Sequence, residues 1–458
     1  MTPATQPTIL LLGTCDTKWD ELLYTYTQLT SGPNPIHTLL MDVGRIPHPS
    51  PLITIKHPHF KPDSSSKPSR EDSNEKEHET PKEEGEDEDD DKGEDYTHLP
   101  RKTYIDTITH TSHATVSSLY QNGQIHGMLS IGGSCGTAIA TALMRSALPV
   151  GFPKLMVSTM ASGDVQPYVE ETDITMMYSV VDVAGMNSIL GRILRNAAAA
   201  VGGMGGTYYR DTRGRCVDGE DGAKAEGEEG KKLLRIGISM FGVTTPCVTA
   251  IRSLLTARYP TCELYVFHAT GSGGKAMERL ITETQLDAIL DITTSEIADE
   301  LVGGVLSAGP QRLSAAASRG IPQVVSLGAC DMVNYGTPET VPSRFREAGR
   351  EIYEHNPTVT IVRTDREESC KVGRFIAEKL GGARRPDRVK VLVPGGGVSL
   401  LDVPGQQFWD PEADEGLFGA LEEGLKGSGV EVVRHPRDVN HPEFAQAAVD
   451  LLAGVLGY

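Results

Sequence analysis

Along the chain, short apolar runs alternate with glycine-containing turns and amphipathic stretches of helical length. Apolar runs bounded by turn residues read as buried strands, and apolar positions spaced three and four apart read as helices packed on them. In the first half this pattern places strands at 8–12, 37–41, 127–131 and 154–158, and helices at 20–29, 104–121, 134–146 and 186–201. In the second half strands fall at 234–240, 264–268, 288–292, 323–326, 358–362 and 389–393, and helices at 246–259, 275–283, 366–380 and 441–456. Strands alternating with helices imply parallel sheets with crossover helices. The fold class is α/β: two doubly wound, Rossmann-like domains with mainly parallel sheets.

Two stretches break the pattern. Residues 62–96 hold almost no apolar side chains and cannot repay the entropy of ordering, so they read as a disordered acidic insertion, or alternatively as a docking segment for a basic partner. Between 63 and 95 there are 16 acidic and 5 basic residues, so this segment carries −11 of the net −19 and leaves −8 for the rest. That mild remainder argues against nucleic acid or an anionic membrane as partner. From 209 to 232 small and charged residues replace apolar periodicity, which places a linker between an N-terminal domain, 1–208, and a C-terminal domain, 233–458. Helix starts are signed by Thr364-Asp365-Arg366-Glu367, with capping-box spacing, and by Thr245-Pro246.

Composition narrows the class further. At 458 residues the chain exceeds one core and suits two. No apolar run reaches the roughly 18 residues a membrane span needs, and the N-terminus lacks a basic leader, so the expectation is a soluble, cytoplasmic protein. Seven cysteines without a CxxC pair read as reduced thiols.

In open α/β sheets ligands bind beyond the carboxyl ends of strands, so the residues just after each apolar run are the candidates for chemistry. After the first strand come Gly13, Thr14, Cys15, Asp16, Thr17 and Lys18: a tight turn, two hydroxyls and a point charge suited to phosphate, although the spacing is not a Walker A loop. Read plainly, Asp16 or Thr17 is a helix cap and Lys18 a solvated charge. Gly132-Gly133-Ser134-Cys135-Gly136-Thr137 is the stronger phosphate cradle, with three glycines and two hydroxyls at a helix start; its plain reading is a packing turn. Ser158, Thr159, Ser162 and Gly163 follow another strand, and Asp42 ends the second, placed to accept from a ribose or hold a metal-bound water.

The second half offers His268-Ala269-Thr270-Gly271-Ser272-Gly273-Gly274-Lys275, a titratable ring beside a glycine-rich helix start. Asp291, Glu296 and Asp331 beside His268 would form a general acid/base or hard-metal constellation. No spacing supports zinc. Cys330 as a nucleophile would need a base that the sequence does not place.

Together these motifs are similar to those of the Tm-one-like ATP-binding family. The resemblance runs through 13–18, the 132–137 loop with 148–154, 158–164, 241–246, 267–274 and 328–334, nearly the whole chain outside the acidic insertion and the linker. It implies a two-domain α/β unit that binds ATP and tends to associate as a homodimer, the first-half loops being the nucleotide contacts; magnesium is a candidate companion ion for the ATP. The chain departs from some relatives in ending after its second domain and in carrying the acidic insertion. Virus inhibition by the family's namesake is not carried over. Two functions follow: a nucleotide-binding module, or an enzyme acting on a small phosphorylated or carboxylated metabolite at the interdomain cleft through His268, Asp291, Glu296 and Asp331.

Overall fold

A computed structural model describes residues 4, 6–31, 35–56, 96–217, 226–227 and 231–457. The acidic insertion, apart from Tyr96 at its end, lies outside them, as do 218–225 and 228–230 of the expected linker. The chain divides into two compact units, Met1–Glu220 and Asp221–Tyr458.

The first unit contains β1 (Thr8–Gly13), α1 (Trp19–Ser31), β2 (His37–Asp42), α2 (Arg101–Gln121), β3 (Gly127–Gly132), α3 (Ser134–Ala147), β4 (Lys154–Ser158), α4 (Gln166–Val169), β5 (Thr175–Tyr178) and α5 (Ser188–Val217). Its strands form one parallel sheet in the order β2-β1-β3-β4-β5. Both faces are covered, which explains the unbroken apolar run of β1. Leu10 and Leu12 pack with Tyr104, Ile108 and Ile139 of α2 and α3, whereas Ile9 and Leu11 pack with Leu22, Leu190 and Leu194 of α1 and α5.

Helix α5 extends well past the expected end at 201, to Val217, so the stretch expected to open the linker is helical up to that residue. Glycines at 202, 203, 205 and 206 suggest a break. Two of them are contacts: a Cβ at Gly202 would sit 2.6 Å from Ile36 Cδ1, and one at Gly205 2.6 Å from Ile9 Cδ1. They let the helix lie close on the sheet.

The second unit contains β6 (Glu226–Gly227), β7 (Lys231–Lys232), β8 (Arg235–Met240), α6 (Thr245–Arg258), β9 (Glu263–His268), α7 (Ser272–Thr282), β10 (Ala288–Thr293), α8 (Ser295–Val302), α9 (Ser314–Arg319), β11 (Gln323–Gly328) and β12 (Met332–Tyr335). There follow α10 (Ser343–Glu347), β13 (Ile352–Asn356), β14 (Val359–Arg363), α11 (Arg366–Gly381), β15 (Val389–Pro394), α12 (Pro411–Leu425), β16 (Glu431–His435) and α13 (Pro442–Leu456). Six strands make a parallel sheet ordered β16-β15-β11-β10-β8-β9. The expected strand at 358–362 is not part of it. As β14 it pairs antiparallel with β12 and β13 in a separate three-stranded sheet. The capping box of α11 also sits one residue later than expected, with Asp365 and Glu368 as the reciprocal pair.

Helix α12 is absent from the sequence expectation because Gly416, Gly419 and Gly424 dilute its periodicity. A Cβ at Gly373 of α11 would meet Leu417 O at 2.4 Å, and one at Gly424 would meet Ala377 Cβ at 2.6 Å. Small residues therefore set how closely α11 and α12 pack. Gly373→Ala is expected to lower stability by about 1–3 kcal/mol through overpacking, despite its better helix propensity. A thermal midpoint unchanged or raised in the variant would refute this account of the packing.

Candidate functional site

The strand order of the first sheet reverses between β1 and β3, and crevices at such switch points are where open α/β sheets bind ligands. A pocket of about 390 Å³ lies there, lined by Thr14, Asp16, Thr17, Lys18, Arg45, Arg101, Tyr104, Gly133, Ser134, Cys135 and Gly136. Both first-half glycine loops meet in it, as their sequences suggest. Arg45, Arg101 and Tyr104 join them without any signal in the sequence.

The floor is the start of α3. Its N-cap is Gly133, with no side-chain cap, and the first amide with an internal partner is that of Thr137, bonded to Gly133 O at 2.9 Å. The first amides of a helix have no partner within it, so those of Ser134, Cys135 and Gly136 face a position that favours an anion. The glycines divide into two kinds. A Cβ at Gly132 would lie 3.1 Å from Gly136 Cα, so Gly132 serves helix–strand packing; a Cβ at Gly133 meets nothing closer than Thr159 Oγ1 at 3.8 Å. Similarly, Gly13 makes room for Leu22, whose Cδ atoms would be 2.7 Å from a Cβ.

Charge around the floor is mainly positive. Lys18 makes no ion pair or side-chain hydrogen bond among the described residues. Arg45 donates to Tyr96 O at 2.9 Å and Leu99 O at 2.8 Å, and its guanidinium lies 4.3 Å from the centre of the Tyr104 ring. Arg101 donates to Ser134 Oγ at 2.5 Å. Asp16 is the only carboxylate in the lining. Its Oδ2 accepts from the Arg45 amide at 2.9 Å, tying the 43–48 segment to the first loop, while its Oδ1 is sealed from solvent with no partner. Burial pushes the Cys135 thiol upward despite the opposing guanidiniums of Arg101 and Arg45, so it stays protonated at neutral pH.

Three expected ligand contacts instead hold the protein together. Asp42 is buried; its Oδ1 accepts from Cys15 N and Gly44 N and its Oδ2 from His48 N, so it organises the loops and is not free for ribose or metal. Thr137 and Ser158 are buried and hydrogen-bonded to each other at 2.6 Å. Thr159, Ser162 and Gly163 lie in a short turn after β4, outside the lining.

The second-half constellation does not assemble. His268 ends the edge strand β9, with β8 and β10 between it and β11, so about 14 Å of sheet separates it from the strand that leads to Asp331. Its exposed ring lies 5.6 Å from that of Phe241. Asp291 and Glu296 are bound to the fully buried Arg312: Asp291 takes both terminal nitrogens at 2.5 and 2.7 Å, and Glu296 takes Nε at 2.8 Å. Glu296 Oε1 also accepts from Gly271 N at 2.7 Å and Gly274 N at 3.0 Å. The glycine-rich start of α7 is therefore filled by the protein's own carboxylate, and a Cβ at Gly274 would lie 2.0 Å from Glu296 Oε2. Cys330 is buried and its thiol is pushed up to about 12, chiefly by burial, which leaves no nucleophile.

Asp331 stands apart. It is buried, accepts from Ser399 Oγ at 2.7 Å, and leaves Oδ1 unpartnered. Burial, opposed by Arg363 and the Ser399 hydrogen bond, pushes it up to about 6. Asp402 is raised to about 9, first by burial and then by the charge of Asp331. Among the described residues no group of three or more side chains is arranged to hold a metal ion, and no helix is long and apolar enough to cross a membrane.

Comparison with known proteins places these features in a family. Residues 7–210 match the N-terminal domain of the Uncharacterised protein family (UPF0261), and residues 233–456 match its C-terminal domain. A UPF0261 protein of Clostridium tetani is 40% identical over 449 residues, 98% of each chain. One from Rhizobium meliloti is 47% identical over 326 residues, 71% of this chain and 75% of its own. The ToMV resistance protein Tm-1 of Solanum lycopersicum is 41% identical over 325 residues, 71% of this chain and 41% of the tomato protein.

Two stability effects follow from the buried charges. Arg312→Leu strands Asp291, Glu296 and Glu278 without their cation and is expected to cost about 3–5 kcal/mol at neutral pH, measured by denaturant unfolding. An unfolding midpoint equal to wild type would refute the role of Arg312. For Asp331 the folded chain retains a proton that the unfolded chain has released, because burial raises the carboxyl from 3.8 to about 6. Its contribution is therefore fully present below about pH 4 and lost as the pH rises to about 6, at up to ~1.4 kcal/mol per pH unit. Relative to Asp331→Asn, wild type should lose stability over that interval and level off above it; the opposite slope in paired thermal melts would reverse the assignment.

Proposed function

This chain belongs to the UPF0261 family, and from that premise we propose that its N-terminal unit is a nucleotide-binding module whose β1/β3 pocket holds the phosphates of ATP. The observation that carries the reading is the convergence, inside one pocket, of the uncapped α3 N-terminus with Lys18, which makes no ion pair or side-chain hydrogen bond among the described residues. Main-chain amides and an ammonium complement a phosphate without needing a base or acid to titrate. Arg45 and Arg101 extend the positive rim, and Ser134 Oγ, held by Arg101, offers a hydroxyl beside the same amides.

The volume falls within the usual range for small-molecule sites, roughly 300–1,000 Å³. ATP comes from the family resemblance; the cations and uncapped helix start of the pocket support an anion. Magnesium would enter with the phosphates, since ions of this kind are commonly held by one or two carboxylates plus phosphate oxygens and Asp16 is the only carboxylate in the lining. The catalytic alternative in the second unit rests on Asp331 alone, because Asp291 and Glu296 are committed to Arg312 and His268 lies at the sheet edge.

Isothermal titration of ligand-free protein with ATP tests the proposal. Lys18→Ala should weaken binding by about 10- to 100-fold, the loss of one charge-assisted contact of roughly 1.5–3 kcal/mol. Gly133→Ala, whose Cβ meets nothing closer than Thr159 Oγ1 at 3.8 Å, should weaken binding while leaving the melting temperature near wild type. Failure of the wild type to bind ATP, or equal affinity in both variants, would remove the pocket from consideration.

A further inference from the structure

Among the described residues, the pocket lining carries cations, hydroxyls and main-chain amides, but no side chain free to read a nucleobase. Bases are recognised by stacking on aromatic faces and by donors and acceptors that match their edges. The sole aromatic ring in the lining is Tyr104, and it is engaged on both counts: its hydroxyl donates to Val43 O at 2.5 Å, and the Arg45 guanidinium lies 4.3 Å from its ring centre. Trp19 and His48, neighbours in sequence of Lys18 and the 43–46 segment, stack on one another with centroids 4.0 Å apart and are not part of the lining. No Asn or Gln lines the pocket.

A sugar is equally unserved. Asp42, the carboxylate at the end of β2, is buried and bonded to three backbone amides. Asp16 Oδ2 accepts from the amides of Arg45 and Ile46, and its Oδ1 lies against Gly44, 2.5 Å from where a Cβ there would be. Against these absences stand three cations to one carboxylate and the open amides of α3.

From this we infer that the site recognises the phosphate chain and is indifferent to base and sugar: its ligand class is the polyphosphate anion, whether free or esterified to a nucleoside. The inference rests on the nucleotide-binding reading for its location and departs from it in denying the adenosine any share of the affinity. Lys18, Arg101 and the α3 amides act on the charged chain, and whatever is esterified to it projects away from the lining.

Calorimetry on the full chain with ATP, GTP, inorganic tripolyphosphate and adenosine tests this at one ionic strength. ATP, GTP and tripolyphosphate are expected to bind within about tenfold of one another, adenosine should give no heat and no competition, and Arg101→Ala should weaken the three anions in parallel. ATP binding more than about tenfold tighter than tripolyphosphate, or displacement of ATP by adenosine, would overturn the inference while leaving the nucleotide-binding reading intact. Binding of tripolyphosphate without ATP would overturn both, since the esterified chain would then be excluded. No binding by any anion would overturn both.

Discussion

The amides at the start of a helix have no partner within it, and how each unit meets that requirement governs much of the rest of its structure. In the second unit α7 meets it internally. Glu296 places a carboxylate oxygen between the Gly271 and Gly274 amides, and holding that charge in the interior brings in Arg312, which in turn holds Asp291 and Glu278. In the first unit α3 meets no such side chain. The glycine that begins it has no cap, and the nearest charges are cations. Two loops of similar composition thus end differently: one is filled by the protein's own carboxylate, and the other has no carboxylate from the described residues on its amides.

The same contrast explains what the sequence can reveal about the site. Glycine-rich loops at 132–137 and 271–274 both look like phosphate cradles, since each combines Cβ-free positions with hydroxyls at a helix start. Only the carboxylate 22 to 25 residues beyond the second loop decides between them, and its partner is a matter of tertiary contact. Arg45, Arg101 and Tyr104 were hidden for a related reason: they come from an irregular segment and a helix start far along the chain, and it is the β1/β3 switch point that gathers them. Lys18 and the α3 start, by contrast, lie directly after strands and were legible from position alone.

For the fold, legibility followed burial. Strands covered on both faces, such as β1 and β3, show continuous apolar runs and were placed within a residue. The short edge strand β5, with mixed exposure over four residues, has no such signature. Helices α5 and α12 were shortened or missed because glycine lowers helix propensity, yet there it marks close approach: Gly205 to Ile9, Gly424 to Ala377. Local propensity and packing give glycine opposite meanings, and only the folded partner resolves which applies.

The floor of the first-unit pocket is main chain, packed so closely that a Cβ at Gly132 would lie 3.1 Å from Gly136 Cα. Substitution can alter a side chain but cannot delete a backbone amide, so the proposed attraction for anions would not depend on which side chains α3 carries. On the same reading, selectivity would fall to the rim, where Lys18, Arg45 and Arg101 come from three separate segments. If the site binds phosphate as proposed, its attraction for charge resides in the main chain and its choice of ligand in a few rim side chains.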